Sequence, residues 1–119
     1  MRFDPFMTGF APVPGNPVDN QIGNGWVAYG AYGHAIPQYT KSADGIVTIK
    51  GLIKDGSTTN GRLMVQLPAG YRPKNALTFS VPTSVGAGRV DIDANGFIIS
   101  RVTDAAWTSF SGISYMAEQ

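Results

Sequence analysis

No cysteine occurs among the 119 residues, which excludes thiolate nucleophiles, zinc ribbons, iron–sulfur clusters and CxxC redox pairs. Histidine is almost as scarce: His34 stands alone, so one chain cannot supply a two-His metal site. Only 14% of the residues are ionic and the formal net charge is +1, against roughly 25% ionic residues in an average soluble domain. So weak a field gives no electrostatic reason to expect nucleic acid or an anionic membrane as a partner. No apolar run approaches the roughly 18 residues of a spanning helix, so no membrane insertion is expected. The opening Met1-Arg2-Phe3-Asp4-Pro5 lacks a basic segment followed by an apolar one, so no signal peptide is expected either. No motif calls for a cofactor.

What the chain has in quantity is punctuation, with 15 Gly and 8 Pro. Its length fits one domain. Residues 1–25 carry Pro5, Pro12, Pro14 and Pro17 with four glycines, and no apolar period survives there. Prolines disfavour helix interiors and central strands alike. This segment reads as an extended N-terminal arm, with Phe3, Phe6, Met7 and Phe10 apolar enough to bind another surface.

Residues 26–119 read as one β-domain, because apolar residues alternate with polar ones at period two. Val47, Ile49 and Ile53 share one face of a strand, with Asp55-Gly56 as the turn after it. Leu63, Val65 and Leu67 alternate with Arg62, Met64 and Gln66, which predicts the first set inward and the second outward. Leu77, Phe79 and Val81 form another strand that Pro82 is expected to stop. Val90 and Ile92 oppose Arg89, Asp91 and Asp93, and Asn95-Gly96 is a strong hairpin signal. Residues 107–116 read as the last strand, with Gly112 allowing a bulge. Turns every 8–12 residues or so, with no helix between them, predict an all-β antiparallel sandwich, jelly-roll-like in architecture.

Ile46, Leu52 and Met64 fall opposite the expected core faces, and Ile98 neighbours Ile99. Outer faces so apolar and so poor in charge point to a homo-oligomer that buries them. Scattered apolar residues on a monomer are the plain alternative.

In order, the chain carries Tyr39-Thr40-Lys41, Asp44-Gly45-Ile46-Val47, Leu67-Pro68-Ala69-Gly70-Tyr71-Arg72-Pro73, Leu77-Thr78-Phe79, a Gly88–Asp93 strand, Asn95-Gly96 and a closing Trp107–Tyr115 segment. Across residues 39–117 this resembles the C-terminal domain of tail fibres, tailspikes and baseplate receptor-binding proteins of tailed bacteriophages. The resemblance implies a homotrimeric β-sandwich at the distal end of a virion tail or fibre, assembled in the host cytoplasm. It implies recognition of a host cell-surface glycan without turnover, so no enzyme. Two alternatives accompany it: a purely structural trimerisation or capping module, and a glycan depolymerase. No long shaft precedes the domain, so contact with other phage tail proteins would run through residues 1–25. The Leu67–Pro73 motif also reads mechanically. Its two prolines fix φ at both ends of a turn, Gly70 permits a positive φ, Tyr71 packs back, and Arg72 bonds freed carbonyls.

The candidate carbohydrate-binding residues fall in two groups. Trp26, Tyr29, Tyr32 and His34 are separated by small residues that leave ring faces accessible, as stacking on sugar C–H faces requires. A subunit interface or core uses the same residue types, and Trp26 and Trp107 individually read as core. Arg89, Asp91 and Asp93 form a polar strand face. Asp91 and Asp93 are spaced for paired-carboxylate chemistry, but Arg89 offers an ordinary salt-bridge partner. The run from Asp91 to Gly96 copies the start of a calcium loop, yet its twelfth position is Val102 where a Glu is needed. A threefold axis could gather three copies of His34 around a metal, though a lone His is ordinarily a surface residue. No catalytic residue and no metal site is assigned.

Overall fold

The structure, a computed structural model, describes residues 11–12 and 21–118. These form strands and no helix: β1 (Ala11–Pro12), β2 (Gln21–Gly23), β3 (Trp26–Ala28), β4 (Gln38–Lys41), β5 (Ile46–Lys50), β6 (Leu52–Lys54), β7 (Leu63–Gln66), β8 (Leu77–Thr83), β9 (Gly86–Ile92), β10 (Phe97–Val102), β11 (Thr108–Ser109) and β12 (Ile113–Met116). A smaller sheet runs β1-β4-β5-β12 and a larger one β2-β3-β6-β11-β8-β9-β10-β7. All pairings are antiparallel. The larger sheet curls until its edges meet: a Cβ on Gly23 would lie 2.5 Å from the Met64 carbonyl oxygen. The Asn24 amide donates to the Leu63 carbonyl, and Arg62 donates to Asn24 Oδ1 at 3.3 Å. An open edge exposes unpaired backbone groups, and this near-closure covers two of them. The fold is therefore the antiparallel all-β sandwich expected, closed almost into a barrel.

The two sheets are joined at corners that the period-two pattern conceals. The apolar run 46–54 is not one strand, because β5 lies in the smaller sheet and β6 in the larger. The chain crosses at Gly51, with φ +130° and the backbone of Ile36 and Pro37 so close that a Cβ would collide with it. Only glycine meets both conditions. The 107–116 segment crosses in the same way between β11 and β12. The corners are stitched together: Phe110 N–H donates to the Gly51 carbonyl at 2.8 Å, and Gly51 N–H to Ser111 Oγ at 3.2 Å. Strands that change sheets at a bend are how sandwiches make corners.

The core gathers Trp26, Val47, Ile49, Ile53, Met64, Leu67, Val90, Ile92, Ile98 and Phe110, all fully or almost fully buried. Met64 was expected outside and Leu63 inside; the reverse holds, with Met64 at 1% exposure and Leu63 at 41%. The cause is a bulge. Ile98 pairs with Val65 but Ile99 with Leu63, so β7 carries one residue more than β10 and changes face. Leu52 and Ile98 are buried as well and Ile46 is half-buried. The apolar outer face read from the sequence is thus largely interior to one chain.

Other turns follow their chemistry. In the Leu67–Pro73 motif Gly70 takes φ +93°, Tyr71 is buried edge-on against Tyr39 at 5.1 Å, and Arg72 Nε donates to the Leu67 carbonyl at 2.9 Å. The 93–97 hairpin puts Gly96 alone at positive φ, making a three-residue loop where the Asn95-Gly96 signal points to two. Pro82 does not stop β8; it sits inside the strand with its ring outward, opposite Ala87. Of the proposed arm, Ala11–Pro12 pairs with β4 and Gln21–Gly23 with β3, so strand pairing begins before residue 26. Phe3, Phe6, Met7 and Phe10 lie outside the described residues.

Candidate functional site

Beside the stitched corners the surface opens into a cleft of about 350 Å³, lined by Tyr29, His34, Leu52, Pro82, Trp107, Ser109 and Ser111 among others. That is toward the small end of the roughly 300–1,000 Å³ of ligand pockets. Gly51 and Leu52, at the crossing between the sheets, belong to its lining. One wall is the 29–37 loop, held at both ends: Tyr29 N–H donates to the Leu52 carbonyl at 2.8 Å and Leu52 N–H to the Ala35 carbonyl at 3.1 Å. Between these ties Gly30, Tyr32 and Gly33 take φ of +74°, +56° and +74°. Positive φ at a bulky residue such as Tyr32 is strained, and the loop uses it to throw that ring outward at 89% exposure. Tyr29 meets His34 edge-on at 5.7 Å and Tyr32 at 6.5 Å, so the three rings form one cluster. The Lys54 ammonium lies 5.7 Å from the centre of the Tyr29 ring.

Trp107 also lines the cleft, half-buried on the loop ahead of β11. Asp104 organises that loop: its carboxylate accepts from Ser84 Oγ and from Ala106 N–H, both at 2.7 Å, and its N–H donates to Thr108 Oγ1 at 3.0 Å. The Ser84 hydrogen bond first, and then that from Ala106 N–H, hold the Asp104 carboxyl below its ordinary range. Ser84 N–H donates to the Trp107 carbonyl at 3.2 Å. Within the lining, Ser109 Oγ accepts from Ser111 N–H at 3.1 Å, while Ser111 Oγ accepts from Gly51 N–H. Both hydroxyls keep a hydrogen to donate. Among the described residues no carboxylate lines the cleft.

No protein-family model and no curated protein matches the sequence. The crystal structure of the receptor binding protein (gp15) of Listeria phage PSA does match the fold, with a TM-score of 0.64. The two chains share an architecture. Their sequences are 16% identical, and the match covers 97% of this chain and 68% of that one.

Against this geometry the residues expected from the sequence separate. Tyr29, Tyr32 and His34 come together at the cleft or its rim. Trp26 does not: it is fully buried, its ring closely covered by Gly56, so it has no face to offer a ligand. Arg89, Asp91 and Asp93 stand apart from the cleft lining. Asp91 accepts from Thr78 Oγ1 at 2.8 Å, from Arg89 at 3.1 and 3.2 Å, and from Arg101 Nε at 2.9 Å. Burial acts to raise its pKa, but the Thr78, Arg101 and Arg89 hydrogen bonds and the Arg89 charge outweigh it and hold the carboxyl below its usual value. Asp93 Oδ1 accepts from Asn95 N–H and Phe97 N–H at 3.0 Å each, so it shapes the hairpin. Among the described residues no three His, Asp or Glu side chains gather as a metal site would need.

The cleft also contains residues that sequence reasoning assigned elsewhere. Trp107 read as core and Leu52 as outer face, and Ser109 and Ser111 carried no signal. All depend on the two corners, which nothing in a local pattern announces.

Proposed function

We propose that this chain is a receptor-binding domain at the tip of a bacteriophage tail or fibre, and that the Tyr29–His34–Trp107 cleft holds a host-surface carbohydrate without cleaving it. The observation that carries the reading is the cleft itself: the rings of Tyr29, His34 and Trp107 line one concavity together with the hydroxyl side chains of Ser109 and Ser111. Sugar rings present C–H faces for the aromatics and hydroxyls for the polar tips. The fold shared with a phage receptor binding protein and the Leu67–Pro73 resemblance support the same reading. The domain acts as a homotrimer joined to other tail proteins through residues 1–25. Three weak sites on one trimer raise avidity by roughly 10²–10⁴ through effective concentration.

The test is binding of the purified protein to host cells and to glycans released from them. Tyr29→Ala or Trp107→Ala lowers the affinity of each site about tenfold, the ~1.4 kcal/mol scale of one lost ring contact, with melting temperature retained. Absence of any cell binding by the wild type would instead favour a structural trimerisation or capping module. Shortening of the polysaccharide that disappears in Asp91→Asn would make the protein a depolymerase.

A further inference from the structure

β8 and β9 pair without interruption from Leu77–Ile92 to Thr83–Gly86. In an antiparallel pair, opposed residues share a face and every second residue returns to it. Val81, Val90 and Ile92 face the core. The other face therefore carries three successive rungs, Pro82 opposite Ala87, Ser80 opposite Arg89, and Thr78 opposite Asp91, each about 7 Å from the next. Pro82 is common to two concavities: it lines the aromatic cleft and, with Ser80 and Ala87, a shallow depression of about 420 Å³. The cleft and the depression therefore adjoin at Pro82, and the residues lining the depression are uncharged. At the far end stand two guanidiniums, Arg89 with 50% and Arg101 with 33% of the side chain exposed, which share the single carboxylate of Asp91. In a chain this poor in charge, that cluster retains one net positive charge beside the depression.

We propose that this rung face is a track for the continuation of the carbohydrate held in the cleft, with an anionic substituent of a later sugar unit meeting Arg89 and Arg101. The inference rests on the carbohydrate reading of the cleft and names the ligand class: an extended acidic glycan, not a terminal neutral sugar. The apolar Pro82–Ala87 rung gives sugar C–H faces a surface, and the Ser80 hydroxyl supplies a polar contact. Asp91 fixes both guanidiniums before the ligand arrives, so little side-chain freedom is lost on binding.

The experiment uses arrayed oligosaccharides of increasing length in three series: neutral, uronic-acid-containing and phosphate-bearing. The full chain is compared with Tyr29→Ala, Arg89→Ala and Ala87→Trp, an exposed position where the indole would fill the depression. Affinity rises with length in an acidic series, and whichever series responds identifies the anion as carboxylate or phosphate. Arg89→Ala lowers binding of the long acidic members about tenfold and leaves the short neutral ones unchanged, since Thr78 and Arg101 still hold Asp91. Ala87→Trp abolishes the length dependence. Should Arg89→Ala misfold, the wild type decides alone: salt weakens its binding of the acidic series and spares the neutral one. Short fragments that bind through Tyr29, with affinity indifferent to length, charge and salt, would overturn the track and leave the cleft standing. Failure of every fragment to bind would overturn the cleft reading, and the track with it.

Discussion

Asp91 shows how one side chain settles the outer face of a sheet. Four hydrogen bonds from three residues on β8, β9 and β10 converge on it, tying neighbouring strands through a single carboxylate. Because its pKa is lowered in the folded state, the ionised form contributes stability above the unfolded carboxylate range near pH ~4. That contribution is lost as the pH falls through the lowered folded value. Asp91→Asn is expected to cost about 1–2 kcal/mol at neutral pH, and its stability falls less steeply in acid than that of the wild type. Chemical denaturation across pH checks this; parallel curves for the two proteins would remove Asp91 from the acid transition. Asp104 acts differently, by holding the loop that aims Trp107. Asp104→Ala frees Ser84 Oγ and Ala106 N–H, and is expected to shift tryptophan emission to the red and weaken glycan binding. The buried Trp26 keeps its own emission. An unchanged spectrum with unchanged binding would show that Trp107 needs no such support.

At the level of the strand, the β7 bulge reverses what alternation alone dictates. Met64→Ala is expected to cost about 2–5 kcal/mol, as truncation of a buried methionine does, whereas Leu63→Ala stays within about 1 kcal/mol. The opposite ranking of midpoints in urea would restore the unbulged register. This case also shows where the sequence stops being legible. Ile49, Val90 and Ile92 were readable as core because each lies on a strand between polar neighbours, and Val47 and Ile53 because they keep the same even spacing across the Gly51 crossing. The Leu67–Pro73 turn was readable because Gly70, Tyr71 and Arg72 act within a few residues of one another. Leu63 and Met64 were misplaced because a bulge is a relation between β7 and β10 and leaves no mark in either strand alone. The cleft was half readable for the same reason. Tyr29, Tyr32 and His34 sit on one local loop, but Trp107, Ser109 and Ser111 join them only through the crossings at Gly51 and residues 110–112. Trp26 carried the same aromatic signal as its neighbours, and tertiary packing against Gly56 took it inside.

For the molecule as a whole, the burial of Leu52, Met64 and Ile98 within one chain changes what a trimer would be. An apolar outer face would need cover from a second subunit, but Leu52, Met64 and Ile98 are already covered within the chain. Among the described residues, the large apolar side chains left exposed, Tyr32, Ile36, Leu63, Val85, Val102 and Met116, are not needed to complete the core. The expectation is that the subunits fold before they associate and that the proposed trimer is an assembly of finished domains. Light scattering at high concentration should then give about 38 kDa, three chains of 12.6 kDa each. On dilution the particle should fall to a single chain that keeps its β-sheet circular dichroism and its buried-tryptophan emission. Association of folded subunits also raises the melting temperature with concentration by mass action. Loss of the β-sheet signal in step with dissociation would show instead that neighbouring subunits complete the core. A single-chain mass at every concentration would leave only one cleft per particle, and the multivalent arm of the proposed adhesion would have to come from several copies carried separately on the virion.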